Sequence, residues 1–491
     1  MALNRKQDMT RSESLEEGLI ATSSVVLDPN STTDGIGDGS GMSECDSSAT
    51  HAVVFSTVVA LCGSFTFGCS IGYSSPAESG IMEDLGLSLE EYSIFGSLMT
   101  VGGIIGSLIT GKLSDLIGRR GAMWVSQLFC SVGWLAIALS KDAWSLYFGR
   151  CSIGIGVGLI TYVIPIYIAE ITPKNIRGAF TAANQFLICS GMSVMYLLGT
   201  VVSWQTLALI ATVSSLLQVV GLFFIPESPR WLAKIGQEKE LETTLRHLRG
   251  KNEDISKEAT EIRDCTEVFE SDSKAGIFNL FQQKYAYSLL VGVGLTLLQP
   301  SGGSTAIAYY ASFIFEKADF SSNIGTISMA IIQIPVVGAS VLLTDKFGRR
   351  PLLLASTIGS CLCVTIIALA FGLQDINQRN YATPVLVYIG ITGCSIAFPL
   401  GLAGLPSVIM SEIFPINVKG SAGSLVALIH WCCNWIITYA FNFMMQWSTT
   451  GTFSIFAVIS GVSVLFTALL VPETKGRTLE EIQISITKSS Q

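Results

Sequence analysis

Twelve apolar stretches, almost free of charge and each about 20 residues long, dominate this chain. That is the length a helix needs to cross the hydrocarbon core of a bilayer. There every backbone N–H and C=O must find its partner inside the segment, which leaves the helix as the natural element. The stretches cover approximately 52–74, 92–110, 121–140, 145–168, 179–202, 204–225, 286–310, 322–343, 352–373, 382–410, 421–445 and 451–471. Charged residues make up only 13% of the 491, against about 25% in soluble proteins. The expected fold is an all-α membrane protein with twelve transmembrane helices in two six-helix bundles. Residues 52–225 form the first bundle and 285–471 the second. The polar segment 226–284 joins them.

The basic residues give the orientation. With both termini in the cytoplasm, 25 of the 29 Lys and Arg face inward, and Lys141, Lys317, Arg379 and membrane-edge Arg150 are left over. The positive-inside rule therefore predicts cytoplasmic termini and a cytoplasmic central segment. Residues 1–51 are polar and rich in Ser, Asp and Gly, and read as a disordered cytoplasmic tail without a cleavable signal. A second cytoplasmic tail spans 472–491. In 226–284, the spacings Leu241/Leu245/Leu248 and Ile255/Ala259/Ile262 suit short amphipathic helices. The twelve cysteines lie mostly within apolar stretches and show no paired zinc-ligand spacing. Gly154-Ile-Gly156-Val-Gly158 lies inside an apolar helix and reads as close helix packing rather than a nucleotide fingerprint. No cofactor, metal, nucleic-acid partner or enzymatic chemistry is expected. The expected partners are the lipid bilayer and a small solute.

Three motifs occur twice, about 230, 242 and 246 residues apart. Asp115-Leu-Ile-Gly118-Arg119-Arg120 matches Asp345-Lys-Phe-Gly348-Arg349-Arg350. Glu170-Ile-Thr-Pro173, followed by Arg177-Gly178, matches Glu412-Ile-Phe-Pro415, followed by Lys419-Gly420. Pro226-Glu227, leading to Arg230, matches Pro472-Glu473, leading to Arg477. Every copy falls at a predicted cytoplasmic helix end. Topology alone needs only Lys and Arg, yet Glu, Asp, Gly and Pro repeat as well. Two related halves rocking around a central site would produce this pattern. Bidentate Arg–carboxylate pairs are directional, so these residues are expected to form a charge latch from one bundle to the other.

With these motifs in view, the sequence resembles the sugar porter family of the major facilitator superfamily over about residues 52–482. The carrying segments are Gly111–Arg120, Pro226–Leu232, Asp345–Arg350 and Pro472–Ile482. Gly72-Tyr-Ser-Ser-Pro76 and the short central segment look most like plant early-responsive-to-dehydration-type sugar transporters. The resemblance implies a sugar site at Gln185, Gln299, Thr305, Gln333, His430, Trp431 and Asn434, with Tyr309 and Tyr310 as an outer gate. Amides, hydroxyls and an indole are natural partners for sugar hydroxyls. The family pattern is broken in three places: Pro300 stands for a Gln, Thr305 for an Asn and Ser407 for a Trp.

The resemblance implies a monosaccharide (hexose) carrier working by alternating access, functional as a monomer, in a vacuolar or plasma membrane. Proton-coupled sugar porters place an Asp in helix 1 opposite an Arg in helix 4. Here Ser70 takes the Asp position while Arg150 is kept, and no Asp or Glu lies within any of the twelve stretches. Facilitated diffusion is therefore expected. Proton coupling, with His430 (ordinary pKa near ~6.5) as a titratable group, and a non-transporting sugar sensor are the alternatives.

Overall fold

The structure, a computed structural model, describes residues 50–173, 176–250, 255–272, 282–376, 381–414 and 416–474. All regular elements among them are helical. The first apolar stretch forms α1 (His51–Gly72). It runs on through Tyr73, whose backbone is itself helical, into α2 (Ser74–Leu85). Gly86, at φ 63°, ends it. The first helix is thus a full α2 longer than the expected 52–74. The reason is that Ser, Glu and Ala after Pro76 are acceptable helix residues once packing covers them.

Next comes α3 (Leu89–Ala138), opened by a capping box in which Ser88 and Glu91 exchange side-chain and backbone bonds. It is 50 residues long and folds back at Gly118 (φ 83°, ψ 173°), so it crosses the membrane twice. After it come α4 (Ala143–Ile171), α5 (Arg177–Leu198) and α6 (Trp204–Gly221). The central segment holds α7 (Pro229–Lys234), α8 (Glu238–Arg249) and α9 (Ser256–Asp272). Leu241, Leu245 and Leu248 form a fully buried stripe on α8. Arg249 donates to the Ile171 carbonyl at the end of α4, tying α8 to the first bundle.

The second bundle contains α10 (Ala286–Ser301), α11 (Ser304–Lys317), α12 (Ser322–Phe347), α13 (Arg349–Ile376), α14 (Ala382–Leu400), α15 (Leu405–Ile413), α16 (Ile416–Trp447) and α17 (Thr449–Leu470). Among the described residues, nine helical segments are long and apolar enough to span a bilayer on their own. The second crossing of α3, the shorter apolar part of α5 and the broken α10–α11 pair bring the crossings to the expected twelve. The α10–α11 break follows from Pro300, which cannot donate a helical N–H, and from Gly303 at φ 90°. Leu108, Phe148, Val458 and Leu469 are all exposed, an apolar outer surface suited to lipid.

The triple-glycine run does the packing expected of it. A Cβ at Gly154 would lie 2.2 Å from the Met99 carbonyl, and one at Gly156 would lie 2.4 Å from Cys130 Sγ. Helix α4 is therefore pressed between the two crossings of α3.

Candidate functional site

At one end of the bundles, the duplicated motifs adopt the same backbone. Gly118 and Gly348 share nearly one conformation (φ 83° and 93°, ψ 173° and 174°). Each lets a carboxylate reach the amides of the two following arginines. Glu227 accepts from Arg119 N at 2.9 Å and Arg120 N at 3.1 Å; Glu473 accepts from Arg349 N and Arg350 N, both at 3.1 Å. These are free amides at the start of a helical crossing, where negative charge is favoured. Burial pushes the Glu227 carboxyl up, against the opposing pull of the Ser228, Arg120 and Arg119 amides.

The arginine side chains complete each knot. Arg119 grips Glu170 in bidentate fashion (Nε 3.0 Å, Nη2 3.1 Å) and also meets Asp115 at 3.5 Å. Arg349 reaches Glu412 at 3.2 Å. Arg120 and Arg350 donate to the carbonyls of Leu222 and Ala468. Arg230 is exposed. The side chains of Arg177, Asp345 and Lys419, and residue Arg477 altogether, lie outside the described residues. The expected latch ran from one bundle to the other. Here the pairs named above each close within one bundle: the carboxylate at the end of α4 or α15 bonds the arginine of its own half.

The opposite end is where the two halves meet. Ser75 Oγ accepts from Ser312 N at 2.8 Å, and Tyr196 Oη donates to the Ala308 carbonyl at 2.6 Å. Asn442 donates to Ser93 Oγ at 2.9 Å. Tyr309 points its hydroxyl at Met99 Sδ (3.5 Å). Tyr310 stacks on Phe441 and donates to the Thr438 carbonyl, so close to Gly96 that a Cβ there would lie 2.7 Å from its hydroxyl. These contacts seal that end.

Between the two ends lies a polar seam. Gln185 on α5 and Gln333 on α12 both reach Cys189 Sγ, one from each half. Thr305 donates to Asn434 Oδ1 at 2.7 Å, and Asn434 Nδ2 donates to the His430 carbonyl at 2.8 Å. Trp431 packs beside the His430 ring, 6.3 Å from Phe67 of the first half and flat against Gly103. Gln299 donates to the Leu402 carbonyl at 2.9 Å, satisfying backbone freed by the gap between α14 and α15. Ser407 sits exposed on α15 and donates to the Gly404 carbonyl of its own turn at 2.7 Å. The seam also uses Phe67, Cys189 and Asn184, which accepts from Ser64. None of these three was among the expected sugar-site residues; Asn184 and Cys189 lie one position before and one turn after Gln185.

Arg150 is fully buried beside this seam. Its guanidinium donates to the Ser70 carbonyl at 3.0 Å and to Ser74 Oγ, and it lies over the Phe95 ring. A backbone carbonyl, a hydroxyl and an aromatic face thus meet its guanidinium.

The comparisons agree with this architecture. The sequence profile of the family described as "Sugar (and other) transporter" matches residues 51–485. Sugar transporter ERD6-like 18 of Arabidopsis thaliana is 52% identical over 444 residues, covering 90% of this chain and 92% of that protein. Sugar transporter ESL1 of the same plant is 50% identical over 438 residues, covering 89% and 93%. Among solved structures, the proton:xylose symporter XylE bound to 6-bromo-6-deoxy-D-glucose superposes with a TM-score of 0.74 at 24% identity. It covers 88% of this chain and 99% of that one, and it shares the major facilitator fold. The chain is a multi-pass membrane protein that belongs to the sugar (and other) transporter family, whose members are carriers and not enzymes.

Proposed function

We propose that this chain carries a monosaccharide, a hexose, by alternating access and facilitated diffusion. The observation that supports this most is the mid-membrane seam. Uncharged hydrogen-bonding groups from both halves (Gln185, Gln299, Thr305, Gln333, His430, Trp431 and Asn434) converge inside an apolar bundle, where they are costly unless they serve a cavity. Tyr309 and Tyr310 close over it at the sealed end. Relatives about half identical carry the name sugar transporter, which favours a sugar as the solute. Lys and Arg placement favours cytoplasmic termini, so the sealed end faces away from the cytoplasm. Both halves are in one chain, so a monomer suffices, in a vacuolar or plasma membrane.

The surroundings of Arg150 favour facilitated diffusion. With Ser70 offering a carbonyl and Ser74 a hydroxyl, the guanidinium pairs with no carboxylate among the described residues whose proton would have to cross with the sugar. In proteoliposomes of the purified protein, glucose uptake is expected to reach equilibrium and stop there, with or without an imposed pH gradient. Accumulation above equilibrium that a protonophore abolishes would establish a symporter instead.

The charge knots are proposed to keep each half rigid while it rocks, rather than to bridge the halves in the state seen here. Arg119→Ala and Glu412→Ala are expected to insert and fold but to slow uptake, because loosening one end shifts the balance of conformations. Normal uptake at normal abundance in both variants would remove this role.

A further inference from the structure

Glu78 is the one acidic side chain among the described residues that is almost wholly buried (5% exposed) with neither carboxylate oxygen hydrogen-bonded. It lies on α2, one turn beyond Ser75, which bonds Ser312 across the seam. One turn beyond Ser312 on α11 is Glu316, exposed at the rim. Two carboxylates therefore face each other from opposite halves, just outside the junction that seals this end. Glu316 acts on Glu78 through space.

No neighbour among the described residues offers Glu78 a proton donor. Tyr92 of α3 donates to the Ser74 carbonyl, Tyr310 of α11 to Thr438, Tyr196 of α5 to Ala308, and Tyr73 to Trp204. The guanidinium of Arg150 on α4 is directed at Ser70 and Ser74. On α2 itself, Asp84 accepts from Trp204 and Gln205 of α6. Lys317 on α11 lies over the Phe313 ring. An ionised carboxylate buried without donors is strongly disfavoured. The closed seam therefore holds the acid form, and burial together with Glu316 raises its carboxyl well above the usual range.

We infer that Glu78 is a gate residue: protonated, it permits the sealed end to close, and ionised, it forces that end open. The inference rests on the alternating-access reading above. When the seam parts, water reaches Glu78 and its carboxyl returns to an ordinary pKa. The closed state thus binds one more proton than the open state between that ordinary pKa and the raised one. Acid favours closure, and the preference is lost as pH rises through this window. The proton enters and leaves from the sealed side, so pH on that side sets the gate without driving sugar uphill.

The first arm of the test does not depend on sugar. Ser93→Cys places a thiol in the seam, where Ser93 is fully buried against Asn442. Its modification by a polar maleimide, read by mass spectrometry at that peptide, reports opening of the full-length protein in nanodiscs. The same substitution combined with Glu78→Gln supplies the reagent's own pH dependence. Relative to that reference, labelling is expected to rise with pH by up to about tenfold per unit through the window. Glu316→Gln should cut the rise short, levelling it off at lower pH and smaller amplitude, since the facing charge no longer helps to hold Glu78 in its acid form; this truncation relative to Ser93→Cys alone decides the matter should Glu78→Gln not fold. An identical pH response with and without Glu78 overturns the inference. So does pH-driven glucose accumulation that Glu78→Gln abolishes, because the proton would then cross the membrane.

Discussion

Gly118→Ala is expected to destabilise the protein strongly for a change of one methyl. Gly118 sits at φ 83°, ψ 173°, a region almost closed to residues with a side chain, at about 1–3 kcal/mol. A Cβ would also lie 2.4 Å from Glu227 Oε2. It would push that carboxylate off the amides of Arg119 and Arg120, adding about 1–3 kcal/mol for buried groups left unpaired. Purified in detergent, the variant should melt well below the parent and yield less folded protein. Gly348→Ala should pay the same backbone strain but displace less, because its Cβ would stop 3.0 Å from Glu473. Equal melting of parent and Gly118→Ala would show that the hairpin in α3 is held by something other than this knot.

The second large effect concerns sugar affinity. Gln185→Ala and Asn434→Ala each remove an amide from the seam, one from each half. Each is expected to weaken glucose binding by about 1–3 kcal/mol, roughly 5- to 150-fold. Asn434→Ala has an added consequence, since Thr305 then loses its acceptor. Thr305→Asn and Ser407→Trp, which restore the family pattern, should tighten binding or shift selectivity in a competition panel. Unchanged constants in all four variants would place the solute elsewhere.

Much of this was legible in the chain. Twelve apolar stretches and three duplicated motifs give the helix number and the two halves, since bilayer thickness and backbone hydrogen bonding leave little freedom. Residue types also marked the seam: an amide in an apolar helix needs a reason wherever it stands. The repeat of Glu, Gly and Arg signalled a repeated local structure before its form was visible.

What the charges pair with was not legible. Sequence spacing placed Arg119, Glu170 and Glu227 at one end of a bundle. Only the fold shows that Gly118 turns the amides toward Glu227, and that Arg119 pairs with Glu170 of its own half. Glu78 makes the same point more sharply. A hydropathy reading ends the first span near residue 74 and leaves Glu78 in a connecting turn, to be taken for a solvated charge. The chain instead stays helical to Leu85, and α11 packs against α2 from the other half. Burial is a property of what comes to lie alongside a residue, and the partner here lies more than 230 positions away. The sequence alone determined which segments enter the membrane and how often. Only tertiary packing decided which charges remain without a partner, because that depends on contacts between segments that hydropathy treats independently.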